Sequence, residues 1–142
     1  MTVASWVVRP ATRADRDAVL ALWEAVGLGQ TAPDEWDALT ASEFNAVLVA
    51  EDGGRLVGTA IASYDGWRAY IYHVAVAPSH RRRGVAHALM REAEQNLVGA
   101  GARHVYVAVH EENTEGLALV AATGYLPEGE RVLVKRLATR LA

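Results

Sequence analysis

The sequence predicts an α/β fold in which an antiparallel meander of strands feeds one strand–helix–strand unit. Three stretches carry that expectation. The run "AVLVAEDGGRLVGTAIASY" sets two β-prone segments around Asp52-Gly53-Gly54, the mark of a hairpin. A second turn at Asp65-Gly66 leads into "AYIYHVAVA", a third strand of the same meander. From Gly84 the apolar period becomes helical, then alternates again at "HVYVAV". A strand reached through a helical crossover is expected to run parallel to the one before it.

Taken in order, "SWVVRP" reads as a short strand closed by Pro10. Thr12 is placed to cap a helix, with Asp15 three residues on in an approximate capping box. Val19, Leu22, Trp23 and Val26 share one stripe of that helix, and Gly27 ends it. A second helix follows, with Pro33 in its first turn. It carries Asp34, Glu35 and Asp37 around Trp36, either a solvated face or an acidic patch beside an aromatic ring. In the third meander strand, Tyr70, Tyr72, Val74 and Val76 lie on one face and Ile71, His73 and Ala75 on the other. Both faces are largely apolar, so this strand should be central and covered on both sides. Val85, Leu89, Ala93 and Leu97 form the stripe of the next helix, which Gly99 and Gly101 end. Asn113 or Thr114 caps a short helix reaching Gly124, and "ERVLVKRL" supplies a last strand. The order is β-α-α-β-β-β-α-β-α-β.

The 142 residues suit a single domain, 1–142, with a core of its own. A net charge of -3 argues against a nucleic-acid coat or an anionic membrane as partner. The chain has no cysteine, which excludes disulfides, thiolate metal sites and a cysteine nucleophile. "MTVASWVVRP" lacks a charged leader before an apolar core, and no apolar run approaches the roughly 20 residues of a membrane span. A cytoplasmic protein is expected. His73, His80 and His87 recur every seventh residue but fall on strand, loop and helix, so no metal site is expected.

The densest positive charge, Arg81, Arg82 and Arg83, stands at the mouth of a helix that begins after Gly84. Helix N-termini attract anions through free N–H groups and the helix dipole, and acidic side chains ordinarily occupy them. Three arginines there repel the dipole and one another, a cost that a bound polyanion removes. The other reading is an exposed basic loop touching nucleic acid, which the acidic net charge disfavours. Neither G-x-G-x-x-G nor G-x-x-x-x-G-K-[ST] occurs.

Arg81-x-x-Gly84-x-Ala86 between strand and helix resembles the pyrophosphate-binding motif of the GCN5-related N-acetyltransferase (GNAT) superfamily, Q/R-x-x-G-x-G/A. "VHEENTEGLALVAATGYLP" resembles that family's N-x-x-A…G-F/Y segment at Asn113 and Gly124-Tyr125. The chain is similar to small bacterial members of the ribosomal-protein alanine acetyltransferase type. The resemblance implies a mixed sheet of six or seven strands with about four helices, the parallel pair splayed apart, and acetyl-CoA in the wedge. It implies that the amides of Arg82, Arg83, Gly84, Val85 and Ala86 and the side chains of Arg81, Arg82 and Arg83 meet the phosphates. Backbone groups of Val74 and Val76 would take the pantetheine arm and acetyl carbonyl, and Asn113 the cofactor beyond it. The partner implied is an amine, of a small molecule or a protein N-terminus, met by a monomer or homodimer.

Acetyl transfer needs an amine made neutral, a stabilised oxyanion and a quenched thiolate. A backbone N–H near Val76 suits the oxyanion. The family's acid tyrosine falls seven residues after the asparagine, where this chain has Val120, which cannot donate. For the base, Tyr72 lies on the strand face where relatives carry glutamate or histidine, although a phenol of pKa ~10 is a poor base unless perturbed. His110, just past the other splayed strand, is the second candidate, acting through water with Glu111 beside it. A coenzyme-binding module with weak or no catalysis is the alternative that Val120 prompts.

Overall fold

A computed structural model describes residues 5–138 of the chain. They fall into two compact units, divided between Val107 and Ala108. The first holds a five-stranded sheet in the order β1-β2-β3-β4-β5. Its strands are β1 (Trp6–Pro10), β2 (Asn45–Asp52), β3 (Arg55–Tyr64), β4 (Ala69–Val76) and β5 (Val105–Val107). Pairing is antiparallel from β1 to β4 and parallel between β4 and β5.

Local chemistry sets the meander. Asp52 pairs with Arg55 across Gly53 and Gly54, whose φ values of +57° and +87° are those a tight two-residue hairpin needs. At the next turn the Asp65 carboxylate accepts hydrogen bonds from the N–H groups of Trp67 and Arg68, each 2.8 Å long. Such an Asx turn replaces ladder bonds that the reversing chain cannot make.

Two adjacent residues of β3 show which helices cover which face. A Cβ on Gly58 would stand 2.9 Å from Leu89 and 3.0 Å from Val85, both on α3 (Val85–Ala100). Thr59, pointing the other way, accepts a 2.8 Å hydrogen bond from Trp23 of α1 (Arg16–Ala25). Neighbouring strand residues face opposite sides, so α1 and α3 sandwich the sheet. On the α3 side Val85, Leu89, Met90, Ala93 and Leu97 are buried. On the α1 side, Trp36 of α2 (Pro33–Ala41) sits edge-on to Trp23 at 6.1 Å and is 1% exposed. Trp36 is thus a core residue, and Asp34, Glu35 and Asp37 are the outer face of its helix.

In the second unit, α4 (Thr114–Ala122) is capped by Asn113, whose side-chain oxygen accepts from the Gly116 N–H at 2.9 Å. Of the two caps the sequence offers, Asn113 and Thr114, the structure uses the first. Beyond Gly124 the described chain carries no helix or strand.

The sheet therefore has five strands among the described residues, not the six or seven expected. "ERVLVKRL" has the right alternation, but its Val132, Leu133, Val134 and Leu137 are 74–88% exposed and join no ladder. Strand propensity reflects packing against a neighbour, and without one the pattern does not make a strand. The parallel strand is also shorter than "HVYVAV" suggested, at three residues.

One ionic cluster ties β1 to the start of α1. Arg9 donates to both Asp15 carboxylate oxygens at 2.8 and 2.9 Å and to Glu51 at 2.9 Å. Asp15 also accepts from the Thr12 N–H at 2.7 Å, closing the predicted capping box. The Arg9 hydrogen bonds lower the Asp15 pKa from 3.8 to about 2. A depressed carboxylate stabilises the fold above its unfolded pKa and loses that contribution as pH falls through the folded value. Asp15→Asn should therefore lower unfolding free energy by about 2 kcal/mol at pH 7. In urea titrations the gap between variant and parent should narrow below about pH 4 and close only below about pH 2.

Candidate functional site

The register of β3 against β4 slips in mid-strand. Thr59 faces Ala75 and Ile61 faces Tyr72, so the single residue Ala60 lies opposite two, His73 and Val74. This two-against-one count is a β-bulge. His73 sits in it with φ +50°, in the left-handed region that a non-glycine residue adopts only at a cost of roughly 1–3 kcal/mol. The Thr59 hydroxyl holds the bulge, donating to the His73 carbonyl at 3.0 Å while accepting from Trp23. On the opposite edge, pairing with β5 ends at Ile71↔Val107, whereas β4 continues to Val76. From Tyr72 onward, that edge of β4 has no ladder partner among the described residues.

The free edge presents usable backbone. The Val76 carbonyl accepts a 3.3 Å hydrogen bond from Arg81, and the next residue, Ala77, donates to Val57 of β3. In a strand the N–H and C=O of one residue point the same way, so the Val76 N–H also faces away from β3. Val74, two residues earlier, shares that side.

Beyond β4 a short 3-10 turn, Pro78–His80, leads to the arginines. Arg81, Arg82 and Arg83 are exposed. Arg82 (φ +63°) and Gly84 (φ +87°) both take left-handed conformations, which curl backbone into amide-lined concavities. Gly84 is the N-cap of α3, and neither a capping side chain nor an acidic residue occupies that first turn. The N–H groups of Val85, Ala86 and His87 thus have no capping side chain. A Cβ on Gly84 would meet nothing within 4 Å, so the site is open on that side and glycine is required by φ. Free helix-start amides beside three arginines are the chemistry that suits a compact polyanion.

Sequence reasoning missed what holds this turn in place. His80, read there as one of three spaced histidines, is 7% exposed. Its Nε2 lies 2.7 Å from Asp52 on the β2–β3 hairpin and its Nδ1 2.8 Å from Ser79. The hydrogen bond with His80, then that from Ser5 and the charge of Arg83, lower the Asp52 pKa. The turn is thus stapled to the hairpin from inside. Gly58 was missed too: any side chain there would push the first turns of α3 off the sheet. A glycine interrupting an otherwise apolar strand was the available signal.

The candidate catalytic residues fare differently. Tyr72 is half-buried at the end of the paired segment, and burial pushes its phenol above 10, so it holds its proton near neutral pH. That environment suits a donor and opposes the base role. His110 belongs to the second unit, is exposed, and accepts from the Glu112 N–H at 3.2 Å. Asn113 lies in the same unit. His73, assigned to the face opposite the tyrosines, instead packs its ring 5.8 Å from that of Tyr72, because the bulge breaks the alternation. No cluster of metal-ligating side chains occurs among the described residues.

Known proteins share this framework. The pattern that defines the acetyltransferase (GNAT) family matches residues 11–125. A putative acetyltransferase from Agrobacterium tumefaciens superposes with a TM-score of 0.79 at 19% identity, over 92% of this chain and 99% of that one. AAC(6')-Iy, solved with the bisubstrate analog CoA-S-monomethyl-acetylneamine, gives 0.79 at 21% identity over 96% and 100%. A transcriptional regulator from Bacillus halodurans gives 0.79 at 17% identity over 92% and 99%. At such identities the structural likeness speaks for the fold.

The Thr59 relay can be tested by itself. Thr59→Val keeps the shape and removes the hydroxyl, leaving Trp23 Nε1 and the His73 carbonyl without partners. Orphaning buried polar groups costs about 1–3 kcal/mol each, so chemical denaturation should show at least a loss in that range. An unchanged midpoint would mean that the bulge does not depend on Thr59.

Proposed function

This chain belongs to the GNAT acetyltransferase family, and from that premise we propose that it transfers an acetyl group from acetyl-CoA to a primary amine by direct attack in a ternary complex. The family match runs through both compact units, which supports reading residues 1–142 as one acyltransferase domain. A chain without cysteine has no need of an oxidising compartment, in keeping with a cytoplasmic setting.

The observation that carries the reading is the uncapped, acid-free start of α3 beside three exposed arginines and the open side of Gly84. A diphosphate satisfies the amides of Arg82, Arg83, Gly84, Val85 and Ala86 and relieves the repulsion among Arg81, Arg82 and Arg83. The same strand that enters this turn offers the N–H groups of Val74 and Val76, donors for a pantetheine amide and the acetyl oxygen. Asn113 spends its side-chain oxygen on α4, which leaves its amide NH2 for the cofactor. Acetyl-CoA supplies the activated acyl group as cosubstrate, and the sequence holds no cysteine to serve as a covalent carrier.

The acceptor is an amine whose neutral form is accessible near pH 7, a peptide N-terminus or a low-pKa amine of a small molecule. Names among the structural neighbours, such as aminoglycoside 6'-N-acetyltransferase, support the small-molecule alternative. The exposed Asp34 and Asp37 on α2 attract a cationic acceptor. Both a monomer and a homodimer are compatible with this site. One observation favours a second reading: Val120 stands where a proton donor is wanted, as in a coenzyme-binding module that turns over poorly.

Gly84→Glu places bulk and negative charge against the phosphates and should weaken acetyl-CoA binding, measured by calorimetry, by about 100-fold or more. Because φ +87° strains most side chains, Gly84→Asn, which tolerates that conformation, serves as the control and should stay folded. Undiminished affinity in the glutamate variant would remove the assignment. Thiol release from acetyl-CoA with a panel of amines should identify at least one acceptor, whereas binding without release would establish the module.

A further inference from the structure

We propose that His73 is the general base of this acetyl transfer, the group that takes the proton the acceptor amine must lose. The proposal rests on the acetyltransferase reading above and adds a residue to it.

His73 is one of two non-glycine residues with positive φ among those described; the other, Arg82, lies in the candidate anion turn. Strain of this kind survives where surroundings enforce it, and here they do. Thr59 grips the His73 carbonyl, and the Trp23 ring stands edge-on to the imidazole at 4.8 Å. The residue follows Tyr72 immediately, where β4 has just parted from β5. His73 therefore stands at the start of the β4 edge that has no ladder partner among the described residues.

The ring is fixed by aromatic edges, yet its nitrogens are unspent. They make no hydrogen bond within the described chain, and no buried side-chain nitrogen or oxygen among the described residues lacks a partner. The nitrogens must therefore reach solvent while the ring stays half-buried. Packing against Trp23 asks only for an apolar group and gives no reason for an imidazole in a strained position. The groups facing it are Trp23 from α1, Thr59 from β3 and Tyr72 from its own strand. Only Tyr72 titrates, and it stays protonated near neutral pH. Burial alone moves His73 below 6.5, with no carboxylate to hold it charged. It is the neutral, proton-accepting form at pH 7.

The step balances with one proton. The amine nitrogen forms a bond to the thioester carbonyl carbon and gives its N–H proton to His73. The C–S bond then breaks with its electron pair on sulfur, and the imidazolium returns the proton to the thiolate. This return supplies what Val120 cannot.

The test uses His73→Asn, since asparagine tolerates positive φ and cannot accept the proton. Turnover at saturating acetyl-CoA is followed from pH 5 to 9 with an alanyl tripeptide amide and with an aminoglycoside. We expect kcat to fall about 100-fold or more, within the range general-base loss produces. The parent's pH profile should show an acidic limb below 6.5, and that limb should vanish in the variant. Affinity for acetyl-CoA by calorimetry should not change. A retained acidic limb, or kcat within about threefold, overturns the proposal. Should the asparagine variant not fold, His73→Gly relieves the strain and opens a site for added imidazole: restored turnover supports the proposal, and no rescue overturns it. If the parent binds acetyl-CoA but acetylates neither amine, the base assignment falls while the coenzyme site stands. If the parent does not bind acetyl-CoA, the acetyltransferase reading itself fails.

Discussion

The extra residue in β4 is the constraint on which the rest of the site depends. A strand that keeps perfect register with β3 has no reason to leave β5. At His73, β4 carries two residues against one, and its pairing with β5 has already stopped. The bulge therefore lies where β4 has lost its ladder partner on the β5 side, in a sheet that is covered on both faces. Its cost is local strain, and the Trp23–Thr59–His73 chain of hydrogen bonds offsets part of it. Because Trp23 belongs to α1, the position of that helix and the bulge in β4 are coupled. A change in α1 packing is therefore felt at the strand edge.

The second ingredient is charge placed against its ordinary preference. The first turn of α3 lacks both cap and acid, and Arg81, Arg82 and Arg83 precede it. A turn so repelled would relax if nothing held it. The buried His80 contact with Asp52 fixes one end, and the close seat of Leu89 and Val85 over Gly58 fixes the other. Both anchors lead back to the β2–β3 hairpin. The same small element that begins the meander thus supports the turn into α3, which explains how a loop rich in like charge keeps a defined shape.

Much of this was legible in the sequence because it rests on local chemistry. Turn glycines, the Thr12–Asp15 box, the Asn113 cap and the helical stripe of α3 each announce themselves within a few residues. The Arg81-x-x-Gly84-x-Ala86 spacing located the turn for the same reason. What escaped reading depends on partners far along the chain. Trp36 sits among acidic neighbours yet is buried, because Trp23 waits across the helix pair. The run at 130–137 alternates like a strand but finds no ladder. The bulge defeats period-two reasoning outright: one added residue puts His73 beside Tyr72, and no residue type there signals it. The His80–Asp52 contact spans 28 positions and could not be inferred from either end.

The central claim is that coenzyme lies along the free edge of β4 with its diphosphate on the turn into α3. Amide chemical shifts of nitrogen-15-labelled protein, followed while coenzyme A is added, test it most directly. The account predicts that the largest changes fall on Val74, Val76 and residues 82–86, together in one saturable titration. It would be contradicted if those amides stayed still while the shifts gathered elsewhere, for instance around the groove lined by Phe44, Tyr64 and Leu97.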